Sequence, residues 1–311
     1  MRRVTTCSAG YDGCVAQNKL IWQSKLVLLL VLPAAGAGVV LQAHWWMVNS
    51  RPVAIWALGL SLLFGIVVRK LRAATPGGAF AGAVITACLM FSTVVFTPGA
   101  LLAYAPWHSA LLPVLTVFVL SHIATRLGRE QKLRLGTAES RQGRNAAQVA
   151  ANLGIAMLSS EGVVQSWLAG SSWFSQMDPA LLLAVGLAAL AEAAADTVSS
   201  EIGQILGGLP HLITTMHRVE VGTDGGVSLI GSLAGVAAAG IVAAVGTWAL
   251  GGNRRVFVVS CAGGVFGLFF DSLLGATMER HGWLNNDGVN FLSTASAAAF
   301  ALGVLAMLPH S

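Results

Sequence analysis

Polar side chains interrupt an otherwise apolar chain in four groups, and the members of each group are spaced as on helix faces. One helical face collects Arg141, Asn145, Gln148 and Asn152, which recur every three or four residues. The other groups combine acids with amides, hydroxyls or glycines: Glu192, Asp196, Ser199, Ser200 and Glu201; Gly264, Gly267, Asp271 and Gly275; and Asn286, Asp287, Asn290 and Thr294. Carboxylate, amide and hydroxyl oxygens suit Mg²⁺ and suit zinc poorly, so the four groups indicate magnesium chemistry.

Arginines and a glycine-rich segment add the means to bind phosphate groups. The segment runs Gly222-Thr223-Asp224-Gly225-Gly226, and such turns can present backbone N–H groups to an anion. The guanidinium groups of Arg141, Arg144 and Arg218 are suited to clamp phosphate oxygens. Because Mg²⁺ is typically held by one or two carboxylates together with substrate phosphates, these residues predict a magnesium-assisted phosphate or nucleotide site. The sequence has no GxxxxGKS/T P-loop and no HRD or DFG kinase signature.

The elements that position these residues are predicted to be membrane helices. The chain is 55% hydrophobic and only 10% charged, with a mean hydropathy of +0.73, whereas a soluble domain usually carries about a quarter charged residues. Backbone polar groups in lipid must be hydrogen-bonded internally, which favours helices. We therefore predict an all-α, polytopic integral membrane bundle of about nine transmembrane helices. The predicted spans are residues 26–43, 52–68, 78–97, 108–125, 145–169, 179–198, 228–250, 256–276 and 288–308.

Basic residues in short loops determine the expected orientation of these spans. They concentrate in the N-terminal tail, in residues 69–76 and in residues 126–144, which share one side if the spans alternate. Arg254 and Arg255 are the exception. We predict that the basic side is cytoplasmic, in a plasma or inner membrane, and that all four polar groups lie at this side. The net charge of +5 is assigned to these loops, and no nucleic-acid partner is expected.

Carboxylates at these positions need compensation, because an ionised side chain deep in a bilayer costs roughly 2.5–3.5 kcal/mol on insertion scales. Glu192, Asp196 and Asp271 therefore require a partner or an aqueous cavity. The alternative is that each acid lies in interfacial water or pairs with an arginine for structural reasons. Glu139 is interpreted as a solvated loop charge. The GxxxG pair of Gly231 and Gly235 is predicted to allow close helix packing.

Six ordered segments carry a family resemblance. They read RQGRNAAQVAANLG (141–154), ADTVSSEIG (195–203), LITT (212–215), TDGGVSLIGSLAG (223–235), FDSLLGAT (270–277) and NNDGVNFLST (285–294). Together they resemble the DUF92 family, which includes the human transmembrane protein 19 group and the phytyl-phosphate kinases of vitamin E synthesis. The resemblance covers about residues 52–308. It divides the chain into an N-terminal tail with an extra first helix (1–50) and a membrane catalytic core (51–311).

The resemblance implies transfer of a phosphoryl group from a nucleoside triphosphate, with CTP as a candidate donor, to an isoprenoid monophosphate in the membrane. We therefore predict a Mg²⁺-dependent phytyl- or polyprenyl-phosphate kinase. Two rivals stay open: a cytidylyltransferase that forms a CDP-lipid, and a transporter.

The predicted site residues come from the polar groups, the arginines and the family resemblance described above. The predicted catalytic residues are Asp196, Asp224 and Asp271, and the predicted metal ligands are these three and Glu201. The predicted phosphate-binding residues are Arg141, Arg144, Asn145, Ser199, Ser200, Arg218, Thr223, Asn286, Asp287 and Asn290.

Overall fold

The computed structural model of the chain describes residues 20–94, 104–171 and 179–308, and these ranges contain eleven α-helices. The helices are α1 (Ile21–Asn49), α2 (Arg51–Lys70), α3 (Pro76–Ser92), α4 (Leu111–Arg126), α5 (Arg129–Leu135), α6 (Ala146–Ser160), α7 (Gly162–Gly170), α8 (Leu183–Leu206), α9 (Leu229–Ala249), α10 (Arg254–Leu274) and α11 (Asn286–Met307). A 3₁₀ turn (Pro179–Leu182) precedes α8, and a π-helical turn (Gly275–Glu279) continues α10. Two short antiparallel strands, β1 (His211–Leu212) and β2 (Gly226–Val227), pair between α8 and α9.

The all-α membrane architecture predicted from the sequence is confirmed, but the count of nine spans is not. Six helices in the described ranges are long and apolar enough to cross a membrane: α1, α2, α8, α9, α10 with its π turn, and α11. A seventh span is possible if α4 and α5, which meet at a bend of 64°, form one unit. The predicted spans 78–97 and 145–169 correspond to shorter helices. The second is divided at Glu161, where extended backbone separates α6 from α7.

Helix α8 is the centre of the bundle. It packs against α4, α6, α9, α10 and α11. In its apolar 18-residue stretch 78% is buried inside the protein, against 39% or less in the other five long helices. Small residues on its neighbours permit this close approach. A Cβ placed on Gly231 would lie 2.7 Å from the Ser199 carbonyl oxygen, and one on Gly235 would lie 2.8 Å from that of Ala195. The predicted packing role of this GxxxG pair is confirmed.

Side-chain caps fix where three helices begin around the same end of the bundle. Asn145 caps α6 and forms a capping box with Gln148, because each side chain accepts a hydrogen bond from the other's backbone N–H. Ser228 caps α9 through the backbone N–H of Gly231. Asn285 caps α11 through that of Gly288. The ends of α6, α9 and α11 are therefore defined by sequence-encoded caps.

Helix α1 packs within the bundle, although the sequence division treats residues 1–50 as a separate unit. The Gln23 amide donates to the Trp283 carbonyl at 2.8 Å and accepts from the Asn285 backbone N–H at 2.8 Å. Asn285 also donates to the Ser24 hydroxyl at 3.0 Å. These contacts tie the start of α1 to the cap of α11. The division at residue 50 stays a prediction.

Candidate active site

A cavity of about 380 Å³ opens where α8 and α10 end and where α6 and α11 begin. Every one of the four polar groups predicted from the sequence contributes to its wall. The lining side chains from those groups are Gln148, Asn152, Asp196, Ser200, Glu201, Asp271, Asn286 and Asn290, and the predicted phosphate-binding Arg144 joins them. The glycine-rich segment closes one side with Thr223 and Asp224. The convergence predicted from helical spacing is therefore present in the fold.

Three acids lie together on α8 and α10: Asp196 and Asp271 line the cavity, and Glu192 is buried beside them. The Asp196 and Asp271 carboxyl groups are close neighbours. Glu192, one helical turn below Asp196, is only 1% exposed and lies beside both Asp196 and Asp271. Among the described residues no hydrogen-bond partner exists for Glu192 Oε1 or Asp271 Oδ2, although both oxygens are buried. Such orphaned acceptors are expensive in a protein interior unless a ligand satisfies them.

The position of Glu192 depends on two glycines of α10. A Cβ on Gly267 would lie 2.5 Å from Glu192 Cγ, and one on Gly264 would lie 3.1 Å from the Glu192 backbone nitrogen. Any larger residue at either position would push α8 and α10 apart. The glycines that the sequence placed on the face of Asp271 therefore make room for the acids.

The carboxylates of the cavity match part of the coordination shell of a magnesium ion but do not complete it. Within residues 20–94, 104–171 and 179–308, no three Asp, Glu, His or Cys side chains form a ready-made metal cluster. A cage of four carboxylates is therefore not assembled. Mg²⁺ in nucleotide enzymes commonly takes one or two carboxylates and completes its shell with phosphates and water. The proximity of Asp196 to Asp271 and the unpartnered oxygen of Asp271 match that pattern.

Glu201 has a second role that the sequence did not indicate. Its carboxylate pairs with the Lys132 ammonium of α5 at 2.5 Å. Lys132 is 1% exposed and also donates to the Ala124 carbonyl at 2.8 Å. Breaking a buried ion pair on one side leaves an uncompensated charge, so this pair fixes the short helix α5 against α8. The ion pair accounts for the partial burial of Glu201 without a metal.

Arg144 is held firmly at the rim of the cavity. The preceding Gly143 has a left-handed φ of 75°, and the Arg144 backbone exchanges hydrogen bonds with Ala73 and Thr75, both at 3.0 Å. Its guanidinium donates to the Thr197 hydroxyl at 3.0 Å and pairs with the Glu139 carboxylate at 3.4 Å. The interpretation of Glu139 as a solvated loop charge is therefore inaccurate, because the side chain is 25% exposed and engaged in orienting Arg144.

The glycine-rich segment packs onto the π turn of α10. Gly225 has a left-handed φ of 76°, and a Cβ there would collide with Ala276. The Thr223 hydroxyl donates to the Glu220 carbonyl at 2.8 Å. Burial raises the pKa of Asp224, and the nearby Arg280 guanidinium opposes part of that rise. Asp224 lines the same cavity as Arg144.

Five of the predicted phosphate-binding residues lie outside the cavity wall. Asn145 is engaged in capping α6, and Ser199 faces α9. Asp287 is buried beside Ser24 of α1. Arg218 is exposed beyond the cavity, and Arg141 lines a neighbouring pocket instead. The predicted helix face that joined Arg141 and Asn145 to Gln148 is wrong at its start, because α6 begins at Ala146, so Arg141 lies in the preceding loop and Asn145 at the cap.

Other residues that line the cavity were not predicted. Glu279, Gln204 and Thr197 belong to its wall. A signal for Glu279 was present, because it follows Asp271 and Gly275 at intervals of four residues on the same helix face. No comparable signal exists for Lys132, which the sequence places in a basic loop.

A second pocket, of about 320 Å³, adjoins the first between α2, α3, α4 and α6. Its mouth carries arginines, and its depth is lined by apolar side chains such as Phe64, Val117 and Phe118. Glu139, Arg144 and Asn152 line both pockets, so the two meet at the start of α6.

These features define a polytopic helical membrane protein with an acid-lined hydrophilic cavity at one end of the bundle. The chain belongs to the family described as integral membrane protein DUF92, whose family model matches residues 59–298. The resemblance inferred from the six sequence segments is thereby confirmed.

Several curated proteins are similar to the chain. An uncharacterized membrane protein of Methanocaldococcus jannaschii is 34% identical over 196 residues, which is 63% of this chain and 76% of the relative. One from Synechocystis sp. is 32% identical over 208 residues, covering 64% and 74% of the two chains. Protein VTE6, chloroplastic, of Arabidopsis thaliana is 31% identical over 215 residues, covering 67% and 62%. No solved structure matches the chain significantly.

Proposed function

We propose that the protein is a membrane-embedded, Mg²⁺-dependent kinase that phosphorylates an isoprenoid monophosphate at the expense of a nucleoside triphosphate. The observation that carries the proposal is the proximity of Asp196 to Asp271 in a cavity whose rim holds Arg144 and whose side is a glycine-rich turn. The resemblance to the DUF92 family, which includes phytyl-phosphate kinases, supports the same class of reaction.

The reaction joins two phosphate groups, and its balance is simple. An oxygen of the lipid monophosphate attacks the γ-phosphorus, the bond from that phosphorus to the bridging oxygen breaks, and the products are a lipid diphosphate and a nucleoside diphosphate. No strong base is required, because the acceptor oxygen is already anionic. Positioning and charge neutralisation therefore dominate the barrier.

The residues of the cavity are assigned to metal binding, to phosphate binding or to the polar wall. Asp196 and Asp271 would hold Mg²⁺, which neutralises charge on the phosphates when bound. Arg144 is positioned by Thr197 and Glu139 to contact phosphate oxygens. In the turn at Gly222–Gly226, the N–H groups of Thr223 and Gly226 already donate to backbone carbonyls, and those of the other three residues are the ones proposed to contact the nucleotide phosphates. Asp224, Glu201, Ser200, Asn286 and Asn290 complete the polar wall.

We further propose that the cavity faces the cytoplasm from a plasma or inner membrane, where nucleoside triphosphates are available. The basic residues of the loop that ends at Arg144 favour this orientation. CTP is the first donor to test, because lipid kinases similar to this family use CTP at membrane-embedded sites.

Product analysis tests the proposal. Purified protein is incubated with Mg²⁺, radiolabelled CTP or ATP, and a panel of prenyl monophosphates. The kinase yields lipid diphosphate and nucleoside diphosphate. CDP-lipid and inorganic diphosphate would instead identify a cytidylyltransferase, in which attack falls on the α-phosphorus. Absence of any product with every donor, from protein that is folded and monodisperse, would contradict both enzymatic readings and leave transport as the surviving candidate.

A further inference from the structure

The pocket between α2, α3, α4 and α6 has the shape and chemistry of a site for an amphiphile. Its deeper walls are apolar and partly aromatic: the Phe64 and Phe118 rings meet edge to face at 5.5 Å, and His122 stacks on Phe118 at 5.4 Å. Val114 marks its depth and Arg126 its mouth, and both lie on α4. Twelve residues of helix separate them, so the pocket extends about 18 Å along the helix axis.

The mouth of this pocket is strongly cationic. The arginines that line it are Arg72, Arg126, Arg129, Arg141 and Arg144, and the one acid in the lining is Glu139. Arg126 is oriented by the Leu71 carbonyl at 2.6 Å, and Arg129 by the Glu139 carbonyl at 3.3 Å. In the part of the chain that the structure describes, the Arg72 and Arg141 side chains have neither a hydrogen bond nor an ion pair. Their charges are therefore available to an anion.

A buried hydroxyl marks the boundary between the cationic mouth and the apolar depth. Ser121 is 7% exposed and lines the pocket, and no described residue forms a hydrogen bond with its Oγ. An unsatisfied buried donor of this kind is uncommon in proteins and indicates a missing partner. It lies one to two turns of α4 below Arg126, where the polar end of a ligand would meet its hydrocarbon chain.

We infer that this pocket binds the acceptor lipid, a monophosphate with one hydrocarbon chain. The phosphate lies among the arginines and the chain lies along α4. That the lipid is a phosphoryl acceptor rests on the proposed kinase function. That the pocket binds such a lipid is argued from the lining of the pocket alone. A phosphomonoester carries a charge near −2, which the excess of arginine neutralises. A nucleoside would leave its base facing apolar walls without hydrogen-bond partners, so the acid-lined cavity is the donor side.

Arg144 is the junction of the two sites. It lines both pockets, and its guanidinium lies between Glu139 of the mouth and Thr197 of the acid cavity. An acceptor phosphate bound by the mouth arginines and a γ-phosphate held in the acid cavity would therefore meet at Arg144. This arrangement supplies the proximity that phosphoryl transfer requires.

Binding without nucleotide tests the pocket directly. The protein in phosphatidylcholine nanodiscs is titrated with radiolabelled geranylgeranyl monophosphate, and inorganic phosphate and geranylgeraniol are used as competitors. We expect the labelled lipid to bind saturably. Inorganic phosphate or geranylgeraniol alone should displace it poorly, because the pocket recognises the phosphate and the hydrocarbon chain together. Displacement by inorganic phosphate at equal concentration would reveal a simple anion site and overturn the lipid assignment, as would the absence of saturable binding.

Variants at the mouth test the head-group contact. Arg72→Gln and Arg141→Gln should each weaken binding about tenfold, the scale of a lost hydrogen bond to a charged group. Arg69→Gln and Arg134→Gln are the matched controls, because both arginines lie outside the two pockets, and they should bind like the parent. Equal binding by all four variants, or equal loss in all four, would overturn the assignment.

Substitutions in the apolar part of the pocket test its contact with the hydrocarbon chain of the lipid. A Cβ on Gly82 would make ordinary contacts with Phe64 at 3.7 Å and Val149 at 3.8 Å, so Gly82→Ala should be tolerated. Gly82→Leu and Ser121→Leu extend into the pocket and should weaken binding of the twenty-carbon lipid at least tenfold, with less effect on a ten-carbon homologue. Gly59→Leu, where no described atom lies within 4 Å of the new Cβ, is the control.

The outcomes separate this pocket from the proposed function. Intact lipid binding that depends on Arg72 and Gly82, without transfer from any nucleotide, would contradict the kinase and leave the pocket standing. Phosphoryl transfer that is unchanged in Gly82→Leu and Arg141→Gln would leave the kinase standing and remove the pocket. If Gly82→Leu does not fold, Ser121→Leu and the arginine variants still decide the result.

Discussion

Two buried oxygens without partners, on Glu192 and Asp271, distinguish the functional interpretation of the acids from the structural one. A structural acid in a membrane protein either reaches interfacial water or pairs with a cation. Glu201 pairs with a cation, the Lys132 ammonium. Glu192 and Asp271 have no cation partner within the described chain, and one oxygen of each is buried without a hydrogen bond. The protein itself therefore satisfies Glu201, whereas an oxygen of Asp271 in the cavity wall and one of the neighbouring Glu192 are left for a ligand under the functional interpretation.

Neutralising Asp196 or Asp271 should reduce turnover strongly without unfolding the protein. Asp196→Asn and Asp271→Asn keep the shape of the side chain and remove charge, so turnover should fall at least about a hundredfold, as when a charge-stabilising group is lost. Melting temperature without metal should be unchanged or higher, because neighbouring carboxylates no longer repel. Mg²⁺ should raise the melting temperature of the parent more than that of either variant.

Glu130→Gln provides the matched control for these variants, because Glu130 is exposed on α5 and lies outside both pockets. It should retain activity and the response to Mg²⁺. Two stable and fully active Asn variants would remove Asp196 and Asp271 from the site.

Removing the Lys132 charge should destabilise the protein through Glu201. Lys132→Met leaves a buried carboxylate without its partner, which costs about 3–5 kcal/mol in buried pairs. Lys132→Met combined with Glu201→Gln should recover most of the melting temperature, because no charge is then left unpaired. Lys70→Met, at an exposed lysine, should change little. A double variant as unstable as Lys132→Met would show that the ion pair is not the source of the effect.

At the scale of elements, the site depends on how closely α8 approaches its neighbours. Glycine and alanine dominate these interfaces, and the carboxyl-bearing face of α8 meets the glycine face of α10. Association in lipid relies on packing between small residues rather than on the hydrophobic effect. Glu192, Asp196 and Asp271 are consequently brought together by helix contacts, whereas Asp224 comes from the loop before α9.

Gly267→Ala should disturb this contact. Its new Cβ would lie 2.5 Å from Glu192 Cγ and 2.9 Å from Ala297 Cβ, so the helices must separate, at a cost of about 1–3 kcal/mol. We expect a lower melting temperature and reduced turnover. Gly240→Ala on α9 is the control, because no described atom lies within 4 Å of its added Cβ, and alanine favours helix. A Gly267→Ala protein as stable and active as Gly240→Ala would contradict the close packing.

The sequence predicted helix faces better than helix ends. The repeats at Asp271, Gly275 and Asn286, Asn290 correctly placed their residues on one wall, because helical periodicity is a local property. The break at Glu161 and the 64° bend between α4 and α5 were missed, because hydropathy does not encode where a helix is interrupted. The roles of Lys132 and Glu139 depend on tertiary contacts and leave no periodic signal.

At the scale of the whole molecule, both pockets open at one end of the bundle. The acid cavity is closed by residues 221–228 and by the ends of α8 and α10, and the arginine pocket is closed by residues 139–144. The basic loops predicted to be cytoplasmic, 69–76 and 126–144, border the arginine pocket at this same end. Under the proposed function, a water-soluble nucleotide would approach from the aqueous phase and a membrane lipid along α4, both at this end.

Accessibility of single cysteines should show this end to be cytoplasmic. The positions must be exposed and free of left-handed backbone, which excludes Gly136 and Gly222, whose φ angles are 74° and 89°. Arg134→Cys and Glu220→Cys meet both conditions near the pockets, and Arg255→Cys marks the opposite end of the bundle.

Each cysteine is introduced into a chain in which Cys7, Cys14, Cys88 and Cys261 are replaced by serine or alanine, and intact cells are treated with a membrane-impermeant maleimide. We expect label at position 255 in intact cells, and at 134 and 220 only after the membrane is permeabilised, because basic loops are retained on the cytoplasmic side. Retained product formation by each variant confirms that the fold is intact. Label at 134 or 220 in sealed cells would place the nucleotide cavity outside, where the proposed donor is absent, and the kinase assignment would then fail together with the orientation.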